Sequence, residues 1–305
     1  MQDRQAAQEA EAVDEQAVKP AQERGEPGSR PALDPSPLDP QLAGAAQPSF
    51  VYALGQIDAR VPSLGLEKEL AQAGARLDTE GLTERQVLKA AISDDGNRYL
   101  ARQLCWLLLV EGLETYILLP RDPADLKLLI DAYREYPSGD DVDVVIGTRG
   151  QIAPPEACNG VAVPMVAFDQ LYSFDRESLV EAIPRPESVS EERDAQFRQA
   201  AGGLFAQIMQ IADNAGATDE HRALNYLAVR YPQIYASVAE ANDRNASLTG
   251  VEVRQSPLSG VRKIVEVVFS YTHRQTDVEE KQFLRVDVTE EFPFLVTKLS
   301  PYFDR

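Results

Sequence analysis

This sequence has few residues of the kinds that build metal sites, redox sites and catalytic triads. It holds two cysteines, two histidines and one tryptophan among 305 residues. Two cysteines cannot form the disulfide framework of a small secreted protein, so reduced thiols are the simpler expectation. The sequence contains no Gly-x-Ser-x-Gly elbow and no glycine-rich phosphate loop. It therefore offers no recognisable nucleotide site or hydrolase triad.

Positive charge is also scarce, and long apolar runs are absent. Asp and Glu number 49 against 30 Lys and Arg, a formal net charge of −19. Such a chain lacks the basic face that binds nucleic acid phosphates. The longest uncharged apolar run, Leu104–Val110, is too short to span a bilayer, and the N-terminus lacks the apolar core of a signal peptide. We therefore expect an acidic cytoplasmic protein that binds neither nucleic acid nor membrane.

The N-terminal residues 1–49 lack aromatic side chains altogether. They contain seven prolines, and acidic residues outnumber basic ones by nine to four. Such a segment cannot bury enough apolar surface to offset the entropy of ordering it. We predict a disordered tail over residues 1–49 and a folded domain over residues 50–305.

The first half of that domain carries both helical and strand patterns. Thr83 and Gln86 have capping-box spacing before a helix, and Asp122 caps a second predicted helix. "ETYILLP", "VDVVIGT" and "VAVPMVAFDQLYSF" are predicted strands, and their order around the second helix indicates a crossover-type α/β layer. The segment Asn97–Val110, which holds Cys105 and Trp106, is predicted to be buried, as helix or strand. We interpret Trp106 as a core residue.

The second half follows a charged connector at Pro184–Asp194. Two helices are predicted, one ending near Gly216 and one starting after Thr218 with an interruption at Pro232. Three strands then form an antiparallel β-meander whose buried face holds Val265, Val267, Phe269 and Tyr271. The predicted class is mixed α and β, and the domain can be divided into subdomains 50–184 and 195–305.

The candidate site residues are the cysteines and histidines. Cys158 lies in a loop flanked by proline and glycine, and His221 falls in a first helical turn, where the helix dipole favours the neutral imidazole that binds metals. Cys105, Cys158 and His221, with His273 or water as the fourth ligand, match the inventory of a zinc site but not the spacing of a compact finger. We favour plain structural roles over a zinc site and assign no other cofactor.

Other charged residues have simpler interpretations. The pairs Asp94–Asp95, Asp140–Asp141 and Glu290–Glu291 are most easily interpreted as solvated turns or strand ends. Arg98, Arg102 and Arg121 surround the apolar run and are expected to pair with carboxylates rather than to hold an acidic peptide.

Five long segments carry a family resemblance. They are "FVYALGQIDARVPSLGLEKELAQA", "NRYLARQLCWLLLVEGLETYILLPRDPADL", "CNGVAVPMVAFDQLYSFD", "NAGATDEHRALNYLAVRYPQIY" and "SGVRKIVEVVFSYTHRQTDVEEKQFLRVDVTEEFPFLVTKL". In this order, from Phe50 to Arg305, they resemble the C-terminal PatG domain of cyanobactin maturation proteins.

The resemblance implies a biological setting rather than a reaction. In that family the domain follows a subtilisin-like protease that cleaves and macrocyclises ribosomally made peptides. Residues 1–49 contain no histidine and no room for such a protease, so its reaction is not carried over. The implied function is a non-catalytic accessory module that binds a precursor peptide or a peptide-maturation enzyme, with homo-oligomerisation left open. The alternative is a zinc-dependent hydrolase or peptide-modifying enzyme that uses Cys158 and His221.

Overall fold

Two β-sheets, one closed and one open, organise the part of the chain that the structure describes. The computed structural model describes residues 49–77, 80–183, 194–211 and 213–303. The predicted tail and connector, apart from Ser49 and Asp194 at their ends, lie outside these residues. The mixed α and β class is confirmed.

The strands and helices follow one another in the order printed here. The strands are β1 (Ser49–Arg60), β2 (Cys105–Val110), β3 (Leu113–Pro120), β4 (Asp141–Ile152), β5 (Pro164–Asp175), β6 (Ala246–Gln255), β7 (Ile264–His273), β8 (Glu279–Asp287) and β9 (Phe294–Tyr302). The helices are α1 (Leu64–Gly74), α2 (Glu84–Ser93), α3 (Arg98–Ala101), α4 (Leu126–Ala132), α5 (Arg176–Ala182), α6 (Asp194–Ile211), α7 (Asp219–Arg230) and α8 (Gln233–Asp243).

The closed sheet is a five-stranded barrel in the order β1-β2-β3-β5-β4, with β4 paired back to β1. All pairs are antiparallel except β3 with β5. The sequence predicts a strand–helix–strand unit made of β3, α4 and β4. In the structure β3 and β4 are not neighbours, because β5 lies between them. Closure gives each strand of this sheet two neighbours and so removes the edges that an open sheet exposes.

One hydrophobic core joins all five barrel strands to α1–α4. Trp106 is 3% exposed within it, and its Nε1 donates to the carbonyl of Ala101 at 3.0 Å. The core role predicted for Trp106 is therefore confirmed. The segment whose type was left open begins as α3 and continues as β2.

The starts of two helices were predicted from capping residues, and the structure agrees more closely for α2 than for α4. The capping box between Thr83 and Gln86 forms as predicted at the start of α2. Asp122 accepts from the amide of Ala124, but a single 3-10 turn follows before α4 begins at Leu126. Helix α4 ends at Ala132 because Tyr133 adopts extended backbone and packs its ring edge-on against Trp106. Tertiary packing thus shortens this helix.

The open sheet is an antiparallel meander in the order β6-β7-β8-β9. Its predicted buried face packs with α6–α8 and with the outer face of barrel strands β1 and β4 in a second core. The break at Pro232, between α7 and α8, forms as predicted. The fourth strand, β9, was not predicted from the sequence.

A short backbone segment joins the two halves of this compact unit. The amides of Tyr52 and Leu54 in β1 donate to the carbonyls of Gly216 and Asn214 at 3.2 and 2.8 Å. Gly216 has a φ of +58°, and a Cβ there would lie 1.9 Å from the Tyr52 carbonyl oxygen. Only glycine fits this position.

Candidate functional site

The two cysteines meet on the outside of the barrel. Cys105 on β2 and Cys158, in a 3-10 turn before β5, form a disulfide with their Cα atoms 5.6 Å apart. Both are buried in a small cluster with Leu107, Ile117 and Val161. The expectation of reduced thiols is wrong in this structure, because a turn 53 residues further along the chain folds back onto β2.

The two histidines lie in other surroundings. His221 places Nδ1 3.7 Å from a carboxylate oxygen of Asp213, and His273 accepts the amides of Gln275 and Thr276 at 3.3 Å in the turn after β7. Within the described ranges no group of three or more His, Cys, Asp or Glu side chains is arranged to hold a metal ion. The structure thus unites Cys105 with Cys158 but brings neither histidine to them, and the zinc site considered from the sequence does not form in this part of the chain.

A pair of carboxyl groups connects the barrel to the open sheet. Glu291 follows β8 and is hydrogen-bonded to Asp169 on β5, whose Oδ2 lies 2.9 Å from Nη1 of Arg121. Burial, reinforced by the Asp169 carboxylate, raises the pKa of Glu291 to about 7. Glu291 therefore keeps its proton to a higher pH than an exposed glutamate does. Glu291 is only 14% exposed, so its interpretation as a solvated turn residue is wrong, whereas the ion pairing expected for Arg121 is confirmed.

Arg222 holds the β8–β9 turn, residues 288–293, from the other side. It projects from α7 and is 2% exposed. Its guanidinium donates to the carbonyls of Val288 at 2.8 Å and Glu291 at 3.1 Å, and also to that of Glu290. Because one rigid cation satisfies three carbonyls of one turn, the start of β9 is fixed relative to the helices.

The strand that this turn positions pairs with another strand on one side only, and on the other side the hydroxyls of Tyr226 and Tyr231 accept the amides of Leu295 and Leu299. β9 pairs with β8 and with no other strand among the described residues. Exposed residues alternate with more buried ones from Phe294 to Lys298, and Leu295 and Leu299 contact the core. We call residues 294–298 the β9 edge. An unpaired strand edge with apolar side chains can accept an extended peptide as an additional strand.

The opposite edge of the sheet has a different character. The most exposed residues of β6 are Thr249, Glu252 and Gln255, all polar. Phe294 and Val296 on β9 are 48% and 37% exposed, and Phe292 in the preceding turn is 45% exposed. Of the two edges of this sheet, β9 therefore exposes more apolar surface, and we take the β9 edge as the candidate site.

The comparisons with known proteins agree with this architecture. Residues 191–302 match the family model described as PatG C-terminal. This part of the chain is therefore similar to the C-terminal region of PatG. A solved structure described as "PatG Domain of Unknown Function" aligns with a TM-score of 0.67 and 20% identity, covering 83% of this chain and 98% of the other. That likeness shows the fold, and it extends the PatG-like architecture to the barrel. No curated protein gives a significant match.

The sequence offered weak signals for most of this site. The segment "FLVTKL" follows Pro293 and alternates poorly, so it does not stand out as a strand. Nothing in the sequence distinguishes Arg222 from the other charged residues of α7. Asp169 and Glu291 are 122 positions apart in sequence, and only the fold brings them together.

A search for membrane-spanning helices finds none among the described residues with the necessary length and apolar character.

Proposed function

We propose that this chain is a non-catalytic accessory module of ribosomal peptide maturation, of the cyanobactin type, and that it recruits a precursor peptide or a partner enzyme. The PatG match supplies the setting, and the open β9 edge is the observation that carries the binding role. Main-chain hydrogen bonds to such an edge provide affinity without any reaction. We expect this module to work in the cytoplasm, where ribosomal precursors are made.

We assign no reaction to this module because of the types of side chain at the β9 edge. The exposed residues of the β9 edge are apolar or cationic, and none of them is a nucleophile or a general acid–base group near neutral pH. The Asp169–Glu291 pair is largely buried and is held by Arg121. Binding of an extended segment is the activity that this surface supports.

Binding and turnover can be measured in the same samples. The full chain is titrated into labelled candidate precursor peptides, with fluorescence polarisation for binding and mass spectrometry for any change of the peptide. We expect saturable binding and an unchanged peptide mass. A mass change that requires the folded chain would overturn the non-catalytic role.

Two variants locate the binding surface. Replacing Phe294 and Val296 together by Glu places two charges on the β9 edge, and we expect at least a tenfold loss of affinity because the apolar contacts are lost. The matched control is Leu113→Glu, the same chemistry at a 72% exposed leucine on the barrel. If both variants bind equally well, the β9 edge is not the recruiting surface.

A further inference from the structure

A groove on the barrel half of the chain is lined by α1, α2 and the end of β1, and no residue of the β9 edge lines it. Its volume is about 570 Å³, within the range of ligand sites. We call it the α1–α2 groove. Its apolar lining residues are Ala59, Val61, Leu70, Leu82, Val87 and Leu88. Leu82 is 40% exposed, so part of this apolar lining is accessible to a partner.

The charged residues that line the groove make it acidic. Glu67 on α1 and Glu84 on α2 are both exposed, and neither forms an ion pair with any residue that the structure describes. Arg85 also lines the groove, but its Nη1 donates to a carboxylate oxygen of Asp58 at 2.7 Å and its Nε to the carbonyl of Arg134 at 2.7 Å. The cation is therefore already neutralised, and two carboxylates are left for an incoming positive charge.

Charge decides between the possible occupants of the α1–α2 groove. A second copy of this chain carries a net charge of −19, and residues 1–48 hold nine acidic against four basic residues. Either of them would bring mainly like charge to an acidic groove, which is unfavourable. A partner of another sequence, with lysine or arginine beside apolar side chains, is complementary to both the lining and its charge.

The walls of the groove also favour one conformation of the bound segment. Two of these walls are helices, whose backbone groups are hydrogen-bonded within the helix. An extended peptide would leave its own backbone groups without partners against such walls. A helix satisfies its backbone internally and presents apolar side chains on one face, so it can enter a groove of this kind.

We propose that the α1–α2 groove binds a basic amphipathic helix of a partner protein, with aliphatic side chains on the apolar lining and lysine or arginine beside Glu67 and Glu84. This second contact surface goes beyond the recruitment assigned to the β9 edge and does not depend on it. The apolar contacts contribute affinity, and the two carboxylates contribute selectivity for positive charge.

The first test compares three fluorescein-labelled peptides by fluorescence polarisation with the full chain. One has leucines at positions i, i+3, i+4 and i+7 with lysine and alanine elsewhere, the second has glutamate for every lysine, and the third is a scramble of the first without helical leucine spacing. We expect the first to bind about tenfold more tightly than either of the others. If the scrambled peptide binds equally well, an acidic chain is merely attracting cations and the inference is overturned.

Charge reversal in the groove supplies the second test. The double variant Glu67→Lys with Glu84→Lys should bind the basic amphipathic peptide about fivefold or more weakly, because two exposed ion pairs are lost and repulsion replaces them. The matched control is Glu69→Lys with Glu156→Lys, which changes the net charge equally at two exposed carboxylates outside the lining. An equal loss in both double variants, or no loss in the first, overturns the inference.

Apolar variants separate this groove from the β9 edge. Leu82→Gln should weaken binding of the same peptide, whereas Leu64→Gln, at a 64% exposed leucine outside the lining, should not. Replacing Phe294 and Val296 together by Glu should leave the affinity for this peptide unchanged. If that variant loses the peptide and Leu82→Gln does not, the peptide binds at the β9 edge, which overturns this inference and leaves the proposed function intact.

Discussion

The barrel and the open sheet handle their strand edges in opposite ways. In the barrel, β4 pairs back to β1, and a disulfide joins β2 to the turn before β5. The open sheet instead ends at β6 and β9. Barrel side chains such as Trp106 are enclosed, while Phe294 on β9 is half exposed. Under the proposed function, the barrel supplies stability and the open sheet supplies the contact surface.

Both regions bury an ion-paired carboxylate. The face of the open sheet that points away from α7 and α8 carries a network in which Glu266, 3% exposed, is paired with Arg254 and Arg285 at 2.8 and 2.7 Å. In the barrel, Asp143 on β4 is 0% exposed, pairs with Arg134 at 3.0 Å and accepts the hydroxyl of Ser173. Buried networks of this kind, when their partners are satisfied, make their surroundings rigid.

The largest effect on the barrel is expected for Trp106→Ala. Removing this enclosed ring leaves a cavity and should lower the free energy of unfolding by about 3–5 kcal/mol, measured by urea denaturation. Trp106→Phe, which retains an aromatic ring, should cost clearly less. If Trp106→Ala instead abolishes peptide binding without loss of stability, the division of roles between barrel and sheet is wrong.

A similar loss is expected on the sheet side for Arg222→Met. Three carbonyls of the β8–β9 turn would lose their donor in a buried setting, which should cost about 3–5 kcal/mol in the same urea measurement. Unlike the barrel variant, it should also weaken binding at the β9 edge under conditions where the variant is folded. The exposed Arg102→Met is the control, and an equal effect there would contradict the role given to Arg222.

Reduction of the disulfide should affect the barrel next most strongly. The bond between Cys105 and Cys158 closes a long loop, so its removal is expected to cost about 2–4 kcal/mol. The double variant Cys105→Ala with Cys158→Ala, compared with the oxidised chain, provides the measurement. Disulfides are rare in cytosolic proteins, so trapping of free thiols in freshly lysed cells will show which redox form the chain has there. Unchanged stability in the double variant would mean that the bond does not support the barrel.

The pH dependence of stability tests the connection between the regions. The pKa of Glu291 is raised from 4.5 to about 7 in the folded protein. Its stabilising contribution is therefore complete below about pH 4.5 and is lost as the pH rises through about 7. We expect Glu291→Gln to remove this part of the decline in thermal midpoint, while Glu290→Gln, at the exposed neighbour, should not. Identical profiles for the two variants would contradict the raised pKa of Glu291.

The smallest effect is expected from deleting residues 1–48. Their lack of aromatics and their seven prolines predict that they contribute little to folding. The thermal midpoint of the shortened chain should equal that of the full chain. A large drop in the thermal midpoint would show that residues 1–48 stabilise the folded domain, although the sequence predicts no core within them.

Local patterns predicted much of the fold and little of the candidate site. The capping box at Thr83, the break at Pro232 and the buried face of β7 depend on neighbours close in the chain, and all three formed as predicted. β9 was missed because two register shifts against β8 disturb its alternation. The disulfide was missed because nothing near Cys105 indicates that the turn at Cys158 returns to it.

The sequence by itself determined the class, the family resemblance and the elements that short-range periodicity and capping encode. The tertiary structure alone decided that one sheet closes and the other stays open, because strand pairing depends on contacts far apart in the chain. It also decided the environment of single residues. The pKa of Glu291 is raised beside Asp169 because the electrostatic state of a side chain depends on what surrounds it in space.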